Sequence, residues 1–211
     1  MGVIRQTMDT STACQIYLLR HGRTESNTAG RLMGQLNEPL AELGRTQADL
    51  AGRSLRGRNI AAVYASDLRR ASDTAEIVAE QLGLTVVRHS GLREINMGDW
   101  AGKTYAEVQS TDAATYAAVR ANPHQSGPRN GESEGEMIER VWRALGEIAA
   151  AHPGESVLVV SHGGPLRAVT ARVLGLGHLS SGTFAVDNCG ILLLEWAGDT
   201  QRLLVPSPVA G

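Results

Sequence analysis

The sequence predicts an α/β protein in three layers, a mostly parallel sheet flanked by helices. Three observations support this fold class. Short apolar runs of strand character alternate along the chain with stretches of helical period. One of those runs, Val157 to Val160, is apolar at every position, as a strand covered on both faces must be. Two of the runs also end directly in a histidine, His21 and His162, each followed by glycine. The carboxyl ends of parallel strands share one edge of a sheet, where ligands bind, so the two imidazoles can meet although they are far apart in sequence.

The elements follow in order. Gln15 to Leu19 reads as the first buried strand, and Glu42 to Arg56 as a helix with Leu43, Gln47, Leu50 and Leu55 marking its inner face. Ala61 to Ala65 is a strand. Asp67 to Leu82 is a helix whose stripe is Leu68, Ala71, Ala75, Val78, Ala79 and Leu82, with Gly83 past its end as a left-handed cap. Thr85 to Arg88 is a short strand. Two capping boxes place the middle of the chain, because a Ser or Thr hydroxyl and the Glu three residues on satisfy each other's free amides. Thr104 with Glu107 opens a short helix; Ser133 with Glu136 opens a longer one with Met137, Ile138, Val141, Trp142, Leu145 and Ile148 at its apolar positions. The stretch 122–131 between them, rich in Pro, Gly and Asn, is a surface loop. Ser156 to Ser161 is the buried strand, it ends in His162, Gly163, Gly164 and Pro165 with a helix to Leu174 following, and Ile191 to Trp196 and Leu203 to Val205 are closing strands.

At 211 residues the chain suffices for one domain with a substantial core and is too short for two, so 14–211 are expected to form it and 1–13 a loose polar tail. A net charge of -2 and a pI near 6.3 provide no basic footprint for nucleic acid and no polycationic face for a membrane. No apolar run approaches the length of a membrane span. The expected partner is a small soluble ligand, and the oligomeric state is open, a homodimer included. Cys14 and Cys189 have neither metal-ligand spacing nor the density of a disulfide scaffold, which points to a reducing cytoplasm.

The chemistry centres on Arg20 and His21, side by side after an apolar run. Imidazole is a nucleophile toward phosphorus, and a guanidinium grips phosphoryl oxygens two at a time. Arg69 and Arg70 open a helix, where neighbours point about 100° apart, so only one of them can face a common site. The segment around Ser161 lacks the Gly-x-Ser-x-Gly elbow of a serine hydrolase. The six histidines show no short ligand spacing, and arginines already bring positive charge, so neither a metal nor another cofactor is expected.

Taken together, four ordered blocks between about Gln15 and Trp196 resemble the histidine phosphatase superfamily, also called phosphoglycerate mutase-like. Arg20, His21 and Gly22 with Thr24, Asn27, Arg31 and Gly34 are similar to its signature; Ser66 to Ala71 with Thr74 and Ala75 to its second arginine segment. Leu92 to Ile95 with Gly98, Trp100 and Gly102 resemble its acidic segment, and Ser161, His162 and Gly163 its second histidine. The resemblance implies that His21 attacks phosphorus and becomes a phosphohistidine, its other ring nitrogen held as a donor by a backbone carbonyl. It implies that Arg20, Arg70 and His162 surround the phosphoryl oxygens, that Asn27 adds a neutral donor, and that Thr24 and Gly163 belong to the substrate site. Glu94 would protonate the leaving alkoxide and then activate water; a plain ion pair with Arg93 is the alternative role for it. Arg23 stands where the family usually has Glu or Gln, and an arginine there suits a second anionic group on the substrate.

Within that resemblance, phosphoglycerate mutases carry a long insertion with paired arginines between the acidic residue and the later Gly-Glu-Ser. Here Glu94 to Gly131 is short, with Arg120 and Arg129 apart, and Gly164 stands where mutases continue with Asn. Both departures favour a phosphomonoester hydrolase acting on a small phosphorylated metabolite. A cofactor-dependent phosphoglycerate mutase and a catalytically silent phospho-ligand-binding member are the alternatives.

Overall fold

A computed structural model describes residues 12–177 and 183–205. Residues 1–11 of the expected tail lie outside the described residues. The chain runs β1 (Cys14–Arg20), α1 (Glu25–Ala29), α2 (Glu42–Leu55), β2 (Ile60–Ala65), α3 (Arg69–Leu82), β3 (Val86–Arg88), α4 (Tyr105–Thr111), α5 (Ala113–Ala121), α6 (Glu134–Ala151), β4 (Ser156–Ser161), α7 (Gly163–Val173), β5 (Ile191–Ala197) and β6 (Thr200–Leu204). The six strands form one sheet in the order β3-β2-β4-β1-β5-β6. The first four of that order are mutually parallel, and β5 and β6 join antiparallel.

Alternation of side chains along the central strands builds the three layers. Ile16, Leu18, Val157 and Val159 point to one face, under Val141, Leu145 and Ile148 of α6 and Leu166 and Val169 of α7. Tyr17, Leu19, Leu158 and Val160 point to the other, under Ala51 and Leu55 of α2 and Ala71, Ala75 and Val78 of α3. Val157 to Val160 are fully buried, as their unbroken apolar run predicts. Both capping boxes form, Thr104 with Glu107 and Ser133 with Glu136. No helix among the described residues is long and apolar enough to cross a membrane.

The inner face of α2 corrects the sequence reading. Leu43 and Leu50 are exposed, and the buried positions are Gly44, Ala48, Ala51, Gly52 and Leu55. The reason is close approach: a Cβ on Gly44 would collide with the carbonyl of Arg23, and one on Gly52 would meet the Gln81 amide at 2.9 Å. Small residues with no hydropathy signal therefore make most of the contact, so Leu55 lies on the inner face as expected while Leu43 and Leu50 point outward. α3 begins at Arg69, because Asp67 leaves the helix to pair with Arg93. The last strand, Thr200–Leu204, is a hairpin partner of β5; it includes Leu203 and Leu204 of the expected stretch, begins three residues earlier and leaves Val205 out. The sequence reading does not include α1 or α5; neither buries a residue fully, and the contact α5 makes with Leu32, Trp100 and Val108 rests on Tyr116 and Val119 alone.

Candidate active site

The parallel register places the carboxyl ends of β1 and β4 together: Arg20 pairs with Ser161, and the amide of His21 donates to the Ser161 carbonyl at 3.0 Å. His21 and His162, the next residues on each strand, thereby stand with ring centroids 5.1 Å apart and planes inclined by 59°. Both are buried.

The tautomer of His21 is fixed by its partner. His21 Nδ1 lies 2.7 Å from the Gly22 carbonyl, which can only accept, so Nδ1 carries the hydrogen and Nε2 keeps its lone pair. Gly22 is itself fixed: its amide donates to Thr74 Oγ1 at 3.0 Å, and a Cβ there would collide with Gly44 of α2. His162 Nε2 meets Ser66 Oγ at 2.9 Å while that hydroxyl oxygen accepts from the Leu68 amide. With the Ser66 hydrogen given to His162 Nε2, Nδ1, buried with no protein partner, is a donor.

Two guanidinium groups flank the imidazoles. Arg70, in the first turn of α3, is buried and bridges the carbonyls of Gly34 and Leu36 at 2.8 and 2.9 Å. Arg69 faces solvent and pairs with Asp73, so Arg70 is the member of the pair that turns inward. Arg20 donates from Nη1 to the Val186 carbonyl at 2.6 Å, and its buried Nε has no partner. A Cβ on Gly163 would lie 3.5 Å from that Nε, so Gly163 leaves the guanidinium uncovered. Glu94 accepts from the amides of Ile95 at 2.9 Å and Gly164 at 3.2 Å. Arg93 does not pair with Glu94; it forms a two-pronged bond to Asp67 at 2.5 and 2.6 Å, tying the acidic segment to the loop before α3.

The basin thus gathers a lone-pair nitrogen, a ring donor, two cations and a carboxylate, from the ends of β1, β4 and α3 and from the loop after β3. Residues 16–207 match the histidine phosphatase superfamily (branch 1). The chain belongs to this superfamily. It is 37% identical over 172 residues to the glucosyl-3-phosphoglycerate phosphatase of Mycobacterium tuberculosis, spanning 78% of this chain and 77% of that protein. It is 31% identical over 207 residues to a probable phosphoglycerate mutase GpmB of Yersinia pestis, spanning 92% and 96%. Among solved structures, Bacillus stearothermophilus YhfR superposes with a TM-score of 0.84 at 32% identity, covering 93% of this chain and 98% of that one.

In this histidine phosphatase the remaining sequence candidates fall in different places. Thr24 is fully buried and caps α1, its hydroxyl accepting from the Asn27 amide, so it shapes the loop after His21 and is sealed from solvent. Asn27 is exposed; its Oδ1 accepts from the Thr24 amide and from Asn188, which also holds the His21 carbonyl. Arg23 is exposed, its amide bound to Gln47 of α2. Four contributors escaped sequence reasoning. Arg140 of α6 donates to the carbonyls of Gly91, Arg93 and Glu94 and so fixes the acidic segment; no local pattern announces it. Arg167 lies one turn beyond Gly163 on α7, a spacing that could have marked it, and its charge acts on Arg20. Val186 and Asn188 arrive from the segment before β5, where no motif stands. Among the described residues no three His, Cys, Asp or Glu side chains are placed to hold a metal ion.

Burial, followed by the Arg70 charge, lowers His21 to about 3, so its ring is neutral at any ordinary pH. Burial, then Arg70 and His21, hold His162 well below its usual value. Both histidines bind protons more readily in the unfolded chain, whose imidazoles titrate near 6.5. Stability is therefore greatest above that value and declines as pH falls toward the folded values, by about 1.4 kcal/mol per pH unit for each histidine. The expected result is a lower urea midpoint at pH 5 than at pH 7. Equal midpoints would show that the rings are not buried neutral.

Proposed function

We propose that this chain hydrolyses small phosphate monoesters by way of a phosphohistidine on His21. The observation that carries the reading is the bond from His21 Nδ1 to the Gly22 carbonyl, which leaves Nε2 as a neutral, fixed nucleophile between two guanidinium groups. In the first step Nε2 bonds to phosphorus, the ester P–O bond breaks, and the departing alkoxide takes a proton from the Glu94 carboxyl. In the second, Glu94 takes a proton from water, the hydroxide oxygen bonds to phosphorus, and the P–N bond breaks to return His21 and release orthophosphate. Arg20 Nε, the Arg70 guanidinium and His162 Nδ1–H supply donors for the three equatorial oxygens. Asn27 and Gly163 complete the substrate site at its edge, and Arg23 suits a second anionic group on the substrate.

Phosphatase names among the relatives support hydrolysis over mutation, and so does Gly164: a Cβ there would collide with Glu94 Oε1. An Asn at that position would displace the carboxylate from where it stands. The cytoplasm is the proposed setting, since Cys14 and Cys189 are unpaired, with thiols raised by burial to about 11 and about 12.

The test is a panel of sugar phosphates, 3-phosphoglycerate and phosphoserine, assayed for released orthophosphate with and without EDTA, with interconversion of the phosphoglycerates followed in parallel. Phosphate release that EDTA leaves unchanged is expected. Isomerisation faster than phosphate release would make the protein a mutase; loss of activity on chelation, restored by a divalent ion, would overturn the arginine-based mechanism.

A further inference from the structure

The loop between α1 and α2 carries a carboxylate that the proposed hydrolysis does not use, Glu38. The same loop holds Arg70: the carbonyls of Gly34 and Leu36 accept from its guanidinium, and Asn37 Oδ1 accepts from the neighbouring Arg69 amide at 2.8 Å. Directly after Asn37, Glu38 Oε1 accepts from the Ser26 amide at 3.0 Å and from the Ser26 hydroxyl at 2.8 Å, tying the loop to α1. The other oxygen differs. Glu38 Oε2 is buried and has no hydrogen-bond partner.

A buried oxygen offers no contact to a substrate, so Glu38 works on the basin through its field. Water screens that field less than it screens the exposed Arg23. The charge of Glu38 acts on the Arg70 guanidinium, as that of Glu94 does. Its sign is definite: it favours the cation in the empty basin and opposes the phosphate dianion that the cation is there to bind. An unpaired carboxylate oxygen away from water costs folding free energy, and functional sites are where such violations are kept. Hydrolysis ends with orthophosphate held by the donors that bound the ester, and a basin that grips it too tightly empties slowly.

We propose that Glu38 is a charge counterweight that weakens the hold of the basin on phosphate and so speeds release of the product. The proposal rests on the phosphoryl basin of the proposed hydrolysis. The test is the dissociation constant of orthophosphate, measured by calorimetry at neutral pH on the whole chain. Glu38→Gln removes the charge and keeps an oxygen for Ser26, and Glu38→Ser removes the charge with less bulk; both are expected to bind phosphate about fivefold more tightly than the wild type. Glu38→Asp, which keeps the charge, is expected to stay within about twofold of the wild type. A purely structural role predicts the opposite direction, because a loosened loop would hold Arg70 less well and weaken binding. Unchanged or weaker binding in the Gln and Ser variants, or equal tightening in the Asp variant, would overturn the counterweight. Phosphate binding needs no turnover, so a result against Glu38 leaves the hydrolase reading standing. Failure of the wild type to release phosphate from any ester would overturn that reading and leave the calorimetry to decide on Glu38.

Discussion

His21→Ala is expected to lower phosphate release from every ester by about 10³-fold or more, with the fold retained. The substitution removes the ring nitrogen proposed to attack phosphorus, while Arg20, Arg70 and His162 remain to bind phosphate. The folding cost is the Nδ1 to Gly22 bond and a small void, of order 1 kcal/mol for the bond. Far-UV circular dichroism and the thermal midpoint check that the variant folds. Alkaline quench of the wild type during turnover is expected to trap covalently bound phosphate that the variant lacks. A variant that keeps a substantial fraction of the rate would end the assignment of His21 as nucleophile.

Glu94→Gln is expected to separate substrates by their leaving groups. An alkoxide is a poor leaving group and needs the proton, so kcat/KM for alkyl esters is expected to fall by about 10² to 10⁴-fold. 4-Nitrophenolate departs without help, and its ester is expected to lose far less. kcat/KM is the quantity to compare, because it reports the steps up to P–O cleavage and is blind to later hydrolysis of the phosphohistidine. The amide is nearly isosteric but has one acceptor oxygen where Glu94 uses two, Oε1 for Ile95 and Oε2 for Gly164, so one of those backbone amides loses its partner and a thermal midpoint checks that the variant folds. Equal losses for both ester classes would show that Glu94 acts through the charge of Arg20 and Arg70 and transfers no proton.

The parts of this architecture that could be read in the sequence are those with strong periodic or stereochemical causes. The apolar run Val157 to Val160 required a doubly covered strand, and the two capping boxes located α4 and α6, because each rests on local chemistry. The meeting of His21 and His162 followed from parallel pairing alone. What failed was contact made by the absence of side chains: the α2 face of Gly44 and Gly52 has no hydropathy signature, whereas Leu43 and Leu50 have one and point outward. Long-range supports of the site were equally silent. Arg140 holds the acidic segment through three backbone carbonyls, and a carbonyl has no residue identity for a motif to carry. Thr24 shows the converse: it stands inside the signature block, yet its hydroxyl serves the α1 cap.

The place of β1 in the sheet carries a further consequence. Its two neighbours are β4 and β5, both from beyond residue 155, so the strand that delivers Arg20 and His21 is made first and paired last. While the polypeptide is still leaving the ribosome, Ile16 to Leu19 has no hydrogen-bonded companion on either flank, and such bare apolar segments invite adhesion to other chains. Productive collapse must wait until the residues beyond 155 have been made, a high-contact-order route that is intrinsically slow. Truncation ahead of Ser156 would leave the nucleophile's own strand orphaned, which makes the segment beyond residue 155 as necessary to this enzyme as Arg20 and His21 themselves.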